Sequence, residues 1–531
     1  MTLLELSGVR LRRHAFSYSA LAVLSASCAP PTPHIDGVPG APPAPQTPWT
    51  VPSSARTPPP PAEPPDASAI STALRIDSAS IAGVTQLSMM DVIDLSLRNN
   101  PATRESWATA RAAADQYGSA RGSLYPTING NVNLSRTSST AGGSSGSSFG
   151  GTGSGTGTGN DSSGTRGGTS VGSSSRTQLT PSLSVSYLVF DLGGRSGSIE
   201  AAKQRAIASD LAHNTTIQNV VLQAESAVFG YLATRALREA QTVAVQEAQA
   251  DTAAAEARLR VGVGTLEEVL QTRTALAQAK LQLATLGGNL LAARANVASA
   301  MGVQANARFD IPQIASTDSV ATVAASVDTL INRAITLRPD LAAARADASA
   351  LAAEIRIARS AGYPALTLSS TTSYARQIQG AGNTTGRNFS VVLGLQIPIF
   401  NGFSREYDIR TARDLYEAGL ARVQSSAQQI SVQVFTSYAA LQTATERVTA
   451  AVELLAAAQQ SSDVALGRYR EGVGTIVDVL LARSALASAR ADDIQARWEW
   501  RTALAQLAHD VGALDTGGRP NIPLNPGPGI R

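Results

Sequence analysis

The chain has 531 residues, of which 43% are hydrophobic, 16% charged and only 5% aromatic, and its formal net charge is +3. One cysteine and four histidines exclude a disulfide framework and disfavour a multi-ligand zinc site. The near balance of charge, with no basic cluster interleaved with aromatic residues, disfavours a nucleic-acid partner.

The N-terminus has the pattern of an export signal over residues 1–27. Arg10, Arg12 and Arg13 form a basic start, and Ala15–Ala26 is a short apolar stretch. That stretch is too short to span a bilayer. We therefore expect the segment to direct export.

The single cysteine, Cys28, follows the sequence Leu-Ser-Ala-Ser. This order resembles the processing site of bacterial lipoproteins, although the aliphatic residue here stands one place further from the cysteine. Lipidation of Cys28 and ordinary cleavage nearby both fit the pattern. Residues 28–85 are proline-rich, chiefly over Pro30–Pro65, and predict an extended tether.

Most of the remaining chain consists of two similar sequence repeats. The sequence RLRVGVGTLEEVLQTRTALAQAK at 258–280 returns 210 positions later, at 468–490, as RYREGVGTIVDVLLARSALASAR. The Tyr-Pro pair at residue 125 returns at residue 363, which is 238 positions later. This offset exceeds 210 by 28, so the first copy has 28 extra residues after its Tyr-Pro pair, where a Gly/Ser/Thr-rich tract lies. A recurrence of this length predicts a structural unit of roughly 200 residues built twice.

These observations set the predicted domain limits. We predict an export signal over 1–27, a tether over 28–85, a first repeat over 86–302 with a Gly/Ser-rich loop over 138–175, an equatorial linker over 303–325, a second repeat over 326–512 and a tail over 513–531.

Each repeat is predicted to begin with two short helices. Pro101 and Pro339 suit the first turn of the second helix in each repeat. The Tyr-Pro pairs that follow disfavour helix and end it. The predicted spans are Met89–Asn99, Pro101–Gly122, Val327–Leu337 and Pro339–Gly362.

Two strands with one apolar face follow in each repeat, because apolar and polar residues alternate with period two. The polar faces hold mainly Asn, Ser, Thr and Gln. Strands of about ten residues can cross a bilayer when tilted, but the alternation would also suit a β-sandwich. The apolar positions are Ile128, Val132 and Leu134; Leu183, Val185, Tyr187 and Val189; Leu366 and Leu368; and Phe389, Val391, Leu393, Leu395 and Ile397.

Two very long helices come next. Arg195–Val261 and Arg405–Glu471 contain no proline and only two glycines each. At ~1.5 Å per residue each would be about 100 Å long, so we predict that they pack side by side as coiled coil. After each Gly-Val-Gly-Thr sequence a return helix is predicted, running to about Met301 and Val511.

The two Gly-Val-Gly-Thr sequences predict tight turns. Glycine supplies positive φ, and threonine can cap the return helix. Acidic residues follow in the first turn of that helix, Glu267 and Glu268 in one repeat and Asp478 in the other, where they favour the positive end of the helix dipole. Arginines that suit the end of the incoming helix, or could pair with the turn acids, are Arg258, Arg260, Arg468 and Arg470.

The strand count predicts an assembly. No run of 18 or more apolar residues follows the signal, so a membrane crossing would use the strands. Four strands cannot close a ring, and open edges in lipid leave backbone groups unpaired. Eight strands from two copies would enclose an interior filled by side chains, whereas about twelve begin to leave a lumen.

In combination these residues resemble the TolC-like outer-membrane efflux ducts of Gram-negative bacteria, over roughly residues 86–512. The resemblance depends on short motifs that occur in order and in both repeats. They are Asn100-Pro101 and Arg338-Pro339-Asp340, Tyr125-Pro126 and Tyr363-Pro364, Phe190-Asp191-Leu192-Gly193-Gly194 and Phe400-Asn401-Gly402, and the two Gly-Val-Gly-Thr turns.

The resemblance implies an α+β membrane protein of two tandem repeats, each with two short helices, two transmembrane β-strands and a long coiled-coil hairpin. Three copies would form a twelve-stranded β-barrel in the outer membrane, continued by an α-barrel in the periplasm. The resemblance implies outer-membrane lipid around the barrel, no enzymatic activity, no cofactor and no metal.

The resemblance also implies partners and site residues. The homotrimer would dock a periplasmic adaptor (membrane fusion) protein coupled to an inner-membrane transporter. Glu268 and Asp478 would line the periplasmic aperture, where a ring of Asp478 would filter cations; the family often has a second acid one turn later, but that position is Leu481 here. The docking residues would be Gly262, Val263, Gly264 and Thr265 in one tip and Gly472, Val473, Gly474 and Thr475 in the other.

Competing functions fit the sequence less well. The motifs GxxxxGK[ST], HExxH and GxSxG are not found in a suitable setting, which disfavours an enzyme. A trimeric surface adhesin or stalk would place its strands at the C-terminus, whereas residues 515–531 are rich in Pro and Gly. Efflux of small molecules is favoured by the lipoprotein-like Cys28, and type I secretion of polypeptides is the alternative.

Overall fold

The computed structural model describes residues 34–35, 38–39, 46–47, 86–140, 173–312, 322–379, 385–514 and 524–525. The predicted export signal, Cys28, most of the tether, the centre of the Gly/Ser-rich loop and most of the tail lie outside the described residues.

The first repeat has the predicted order of elements: two helices, two strands and a helical hairpin. They are α1 (Met89–Asn99), α2 (Pro101–Gly122), β1 (Thr127–Thr140), β2 (Ser173–Phe190), α3 (Gly194–Arg260) and α4 (Leu266–Ala300).

The second repeat has the same order. It consists of α5 (Val327–Leu337), α6 (Pro339–Ser360), β3 (Ala365–Gln379), β4 (Thr385–Gln396), α7 (Ser404–Arg470) and α8 (Ile476–Asp510). Two further antiparallel ladders are only two residues long, and they pair His34–Ile35 with Val38–Pro39 and Thr322–Val323 with Leu524–Asn525.

The strands are longer than predicted. They have 14, 18, 15 and 12 residues, and β1 and β2 extend into the predicted loop 138–175. Their ladder continues through Ser138 opposite Ser175. Backbone hydrogen bonds between strands need no apolar side chain. A ladder can therefore extend beyond the residues whose alternation predicted the strands.

The four long strands form one antiparallel sheet in the order β1-β2-β3-β4. β2 and β3 join the two repeats at its centre, for example where Ser184 lies opposite Thr371. β1 and β4 are the edges, and no strand among the described residues pairs with their outer sides.

The apolar residues of the edge strands point away from the protein. On β4, Phe389, Val391, Leu393 and Leu395 are all more than half exposed, and Val132 on β1 is 75% exposed. Such a continuous apolar face on a water-soluble sheet would be unusual. The predicted strands are confirmed, and their apolar residues are uncovered in a single chain.

The long helices extend away from the sheet. α3 and α7 have 67 residues each, and α4 and α8 have 35 each. α3 packs against α2, α4, α6 and α8, so it touches elements of both repeats. None of the helices in the described part of the chain has a stretch long and apolar enough to cross a membrane.

The two repeats share one hydrophobic core. Val221 and Val228 on α3 belong to the same buried cluster as Val434 and Leu441 on α7 and Leu507 on α8. The repeats are therefore packed into a single body about midway along the long helices.

A buried arginine fixes the start of the second repeat against its end. Arg338 forms an ion pair with Asp340, at 2.6 Å, and donates to Gln433 on α7 and to the backbone oxygen of Asp510. Gly512, at φ +73°, brings its backbone within contact of Arg338, where a side chain would meet it at 3.3 Å. The Arg-Pro-Asp motif thus joins α6, α7 and the end of α8.

One carboxylate is buried without compensation. Asp210 on α3 is fully buried, and neither of its carboxylate oxygens has a hydrogen-bond partner among the described residues. Burial alone raises the pKa of Asp210 to about 8. His213, one turn along, is also buried but bonded, at 2.8 Å to Ser106 and 3.2 Å to the backbone oxygen of Thr47.

We predict that Asp210→Asn removes a pH dependence of stability. A raised folded pKa means that the folded state holds the Asp210 proton between about pH 4 and pH 8. The contribution of Asp210 to the free energy of unfolding is therefore complete below pH 4. It is lost as pH rises to 8, by up to ~1.4 kcal/mol per pH unit. Unfolding would be measured across this range in both proteins.

The conservative variant Asp94→Asn is the control, because Asp94 is an exposed residue paired with Arg98. An identical pH slope in Asp210→Asn and in the unsubstituted protein would contradict the assignment of this slope to Asp210.

Candidate docking tips and aperture

The far end of each helical hairpin is a turn built on glycine. At the end of α3, Gly262 has φ +77°, and at the end of α7, Gly472 has φ +78°. Val263 donates to the backbone oxygen of Arg258 at 3.0 Å, and Val473 donates to that of Arg468 at 3.0 Å. These bonds close both helices in the same way, as a Schellman motif does.

The second glycine of each turn is required by space. A Cβ on Gly264 would lie 2.9 Å from the Cβ of Arg258, and one on Gly474 would lie 3.1 Å from the Cβ of Arg468. The return helix therefore starts against the last turn of the incoming helix, and only glycine allows that approach.

The threonine of each turn caps the return helix, as predicted. The hydroxyl of Thr265 accepts from the backbone N–H of Glu268 at 3.2 Å, and that of Thr475 accepts from the N–H of Asp478 at 3.2 Å. Asp478 also accepts from the backbone N–H and hydroxyl of Thr475, at 3.0 and 2.9 Å, which completes a capping box. These bonds hold the pKa of Asp478 below its usual range.

Glu268 behaves differently from Asp478, although it has the equivalent position in the repeat. Its carboxylate accepts a hydrogen bond, at 3.4 Å, from the hydroxyl of Tyr469, at the end of α7. The guanidinium of Arg258 lies 4.8 Å from the centre of the Tyr469 ring. Tyr469 is thus held between two residues of the first repeat, and it is buried.

Sequence reasoning missed Tyr469. The available signal was a break in the repeat, because the equivalent position in the first repeat is Leu259. Nor does Arg258 pair with a turn acid, since it stacks on Tyr469. Among the arginines named from the sequence, Arg468 lies close enough to Asp478 to lower its pKa further.

A second contact between the repeats lies further from the turns. On α3, Glu247 forms ion pairs of 3.1 Å with both Arg483 and Arg490 on α8, and Asp251 lies 3.6 Å from Arg483. Burial raises the pKa of Asp251, and the charges of Arg483 and Arg470 oppose this. We call these four residues, Glu247, Asp251, Arg483 and Arg490, the charge cluster. It was not predicted.

The charge cluster borders a groove between the hairpins. The groove has a volume of about 1020 Å³ and is lined by residues of α3, α4 and α8. Leu266, Leu270 and Leu481 contribute apolar surface to it, and Glu267 and Arg483 contribute charge.

The valines of the turns present apolar surface to solvent at this end. Val263 is 65% exposed and Val473 68% exposed, and each is flanked by the glycines of its turn. The structure therefore brings the eight predicted docking residues to one end of the molecule, in two similar turns. No cluster of His, Cys, Asp and Glu able to hold a metal ion occurs among the described residues.

Comparison with known proteins gives a consistent result. The family model described as outer membrane efflux protein matches residues 92–303 and 330–513. Protein CyaE of Bordetella pertussis is 26% identical over 458 residues, which cover 83% of this chain and 86% of that protein. The pyoverdine export outer membrane protein OpmQ of Pseudomonas aeruginosa is 28% identical over 346 residues, which cover 62% of this chain and 68% of that protein.

Among solved structures, the outer membrane protein VceC of Vibrio cholerae has a similar fold. Its TM-score is 0.63 at 19% sequence identity, and the match covers 80% of this chain and 96% of that chain.

We predict that Gly264→Ala loosens the first turn, because the added methyl group would press on Arg258 and the backbone of Leu259. Overpacking of this kind costs about 1–3 kcal/mol. Amide exchange of Val263 and Gly264, measured by hydrogen–deuterium exchange, should then be about tenfold faster or more. Gly287→Ala is the matched control, because a Cβ there meets nothing within 4 Å. Unchanged exchange in Gly264→Ala would contradict the packing argument.

Proposed function

Because the chain belongs to the outer membrane efflux protein family, we propose that it is the outer-membrane duct of a tripartite export system. Three copies form a passive channel, which couples through a periplasmic adaptor protein to an inner-membrane transporter and performs no chemistry of its own. The observation on which this proposal depends most is the four-stranded sheet, whose two edges pair with no other strand in the described part of the chain.

The sheet edges support the trimer. β1 and β4 lie at opposite edges and run over 14 and 12 residues, so β4 of one copy can pair with β1 of the next. Three copies then give a closed ring of twelve strands, which begins to leave a lumen. Closure satisfies the backbone groups that lipid cannot bond.

The exposed side chains support a membrane position. The uncovered apolar face of β4 suits hydrocarbon, and exposed aromatic residues gather where strands meet helices. Aromatic rings of this kind favour the interface between lipid and water. The junction residues are Tyr125, Phe190, Tyr363, Phe400 and Phe403. We accordingly propose an outer-membrane location, with the helices in the periplasm.

The hairpin turns support docking of the adaptor. They are the far ends of helices about 100 Å long, so they reach deep into the periplasm. Val263 and Val473 supply exposed apolar contacts on rigid, hydrogen-bonded turns. Rigid apolar anchors lose little entropy on binding, which suits a docking surface.

The acidic residues Asp478 and Glu268 support the proposal of a narrow aperture near the turns. Asp478 is exposed, and its capping bonds keep it ionised at neutral pH. In a trimer it would repeat as a ring of three carboxylates. Glu268 would contribute less freely, because Tyr469 binds its carboxylate.

Small molecules are the proposed cargo. The relative named for pyoverdine export supports this choice, since pyoverdine export is transport of a small molecule through an outer membrane protein. The lipoprotein-like context of Cys28 agrees with it.

We predict that Asp478→Asn weakens block of the purified channel by divalent or trivalent cations in planar bilayers by about tenfold, because a ring of like charge concentrates counter-ions. Asp463→Asn, an exposed acid on α7 about two turns before its end, is the charge-matched control. Equal block in Asp478→Asn and in the unsubstituted channel would exclude the ring.

We also predict that Val263→Asp with Val473→Asp weakens adaptor binding by at least about tenfold, or ~1.4 kcal/mol, since docking would bury an unpaired charge. The periplasmic adaptor protein that copurifies with the trimer would be titrated onto the purified trimer. Val263→Thr with Val473→Thr keeps the side-chain shape without charge and should bind more tightly than the aspartate variant. Full binding by an intact trimer of the aspartate variant would remove the turns from the docking surface.

A further inference from the structure

The end of the sheet furthest from the helices is basic. The charged residues of the four described strands are all arginines, and all of them lie towards this end. They are Arg136, Arg176, Arg376 and Arg387. The segments that join the strands here, 141–172 and 380–384, add one aspartate and one arginine to the sequence. In the proposed duct this end of the sheet lies on the outer side of the membrane, away from the periplasmic helices.

Two of these arginines are neighbours on the apolar face of the sheet. Arg387 on β4 is opposite Tyr374 on β3, and Arg376 is two residues beyond Tyr374 on the same strand. Residues two apart share a face of a strand, so Arg387 is on the face that holds Phe389 and Val391. Diagonal neighbours of this kind lie about 7–8 Å apart. Both arginines are exposed, and we call them the arginine pair.

The arginine pair lies just beyond the apolar band of the sheet. Tyr363 is at the junction of sheet and helices, and Tyr374 and Arg376 follow it by 11 and 13 residues. A strand rises ~3.4 Å per residue and is tilted by about 40° in an outer-membrane ring, so these residues lie roughly 29 and 34 Å from the level of Tyr363. The apolar band of such proteins is about 25 Å tall and is flanked by aromatic residues. The arginine pair is therefore at the level of the lipid headgroups of the outer leaflet.

Tyr374 positions one member of the pair. The guanidinium of Arg387 lies 5.9 Å from the centre of the Tyr374 ring. Contact with an aromatic ring restricts a long side chain and favours its charge. The planar guanidinium has five N–H donors in a fixed fork, which matches the oxygens of a phosphate. The Arg387 side chain is thus already ordered for an anionic partner.

An anion between the two arginines would remove their mutual repulsion. Like charges at this spacing repel each other, and the described strands contain no carboxylate that could compensate. A phosphate monoester carries a charge of about −1.5 to −2 and accepts paired hydrogen bonds from arginine. Its charge therefore matches two guanidinium groups better than that of a single carboxylate.

We propose that the arginine pair and Tyr374 bind a phosphate group of lipopolysaccharide, the phosphorylated glycolipid of the outer leaflet. This inference rests on the proposed outer-membrane position of the sheet. Lipid is favoured over free phosphate because apolar surface continues directly from the arginines. Phe389 is the next residue on the face of Arg387 and is 71% exposed, followed by Val391 and Leu393. One glycolipid can therefore place its phosphate on the pair and its acyl chains on the residues below.

Arg136 provides a comparison within the same chain. It is exposed, and it shares a face of β1 with Val132 and Leu134. The residue opposite it on β2 is Thr177, and neither diagonal neighbour on that strand is an arginine. A lone arginine at this level can be solvated by water and cannot bind a phosphate together with a second guanidinium. We therefore expect Arg136 to contribute little to lipid binding.

The decisive experiment titrates lipid A onto the purified, detergent-solubilised protein and follows it by native mass spectrometry. One spectrum then reports both the number of chains and the number of bound lipids. Arg376→Gln with Arg387→Gln should weaken binding of lipid A at least about tenfold, because charge-assisted hydrogen bonds to phosphate are lost. Arg376→Lys with Arg387→Lys keeps the charge without the fork and should bind with intermediate affinity. Arg136→Gln is the charge-matched control and should stay within about twofold of the unsubstituted protein.

Two further probes separate the possible sources of the phosphate. Lipid A from which the phosphates have been removed should bind the unsubstituted protein as weakly as lipid A binds the glutamine variant. Inorganic phosphate should compete poorly, because it has no acyl chains to pack on Phe389. Equal binding of lipid A by the glutamine variant, or an equal loss in Arg136→Gln, would overturn the proposal. Inorganic phosphate that binds as tightly as lipid A would overturn the assignment to lipid.

Failure of the proposed function gives a different result. A purified protein that forms no conducting pore in planar bilayers would refute the duct. Both arginines and Tyr374 belong to one chain, so the lipid titration would still show whether they bind phosphate. A conducting trimer that binds lipid A without regard to the arginine pair would refute this inference alone.

Discussion

The backbone groups at the two edges of the sheet constrain everything else in this protein. A strand edge in lipid exposes N–H and C=O groups that find no partner, and each one is costly. β1 and β4 present such edges over more than ten residues, beside an apolar face that water does not favour. Pairing β4 of one copy with β1 of the next removes both edges at once, and this pairing makes the proposed trimer.

The long helices extend from the sheet in an order that follows the order of the strands. β2 runs into α3 and β4 runs into α7, so the strand order also orders the long helices. The shared core fixes the repeats of one chain against each other, and Arg338 fixes the start of the second repeat against α7 and the end of α8. Nearer the turns, Glu247 on α3 pairs with Arg490 on α8, and Tyr469 on α7 donates to Glu268 on α4.

Much of this structure could be predicted from local sequence. Proline after Asn100 and Arg338, period-two alternation in the strands, and glycine at Gly262 and Gly472 each act within a few residues, so the elements and their order were found. The strands were predicted too short, because the ladder continues through Ser and Thr residues that show no alternation. The capping role of Asp478 could be predicted for the same local reason, since Thr475 stands three residues before it.

The contacts between repeats could not be predicted in this way. Tyr469 and Glu268 are 201 positions apart, and Arg490 and Glu247 are 243 apart, so only the packing of the hairpins brings them together. The break in the repeat at Tyr469 was a visible sign of one of these contacts.

The most direct test of the central claim is the mass of the purified, detergent-solubilised protein by native mass spectrometry. The account predicts a particle of three chains that persists after the detergent is stripped away. A single chain that remains folded, with both sheet edges protected from amide exchange, would contradict it.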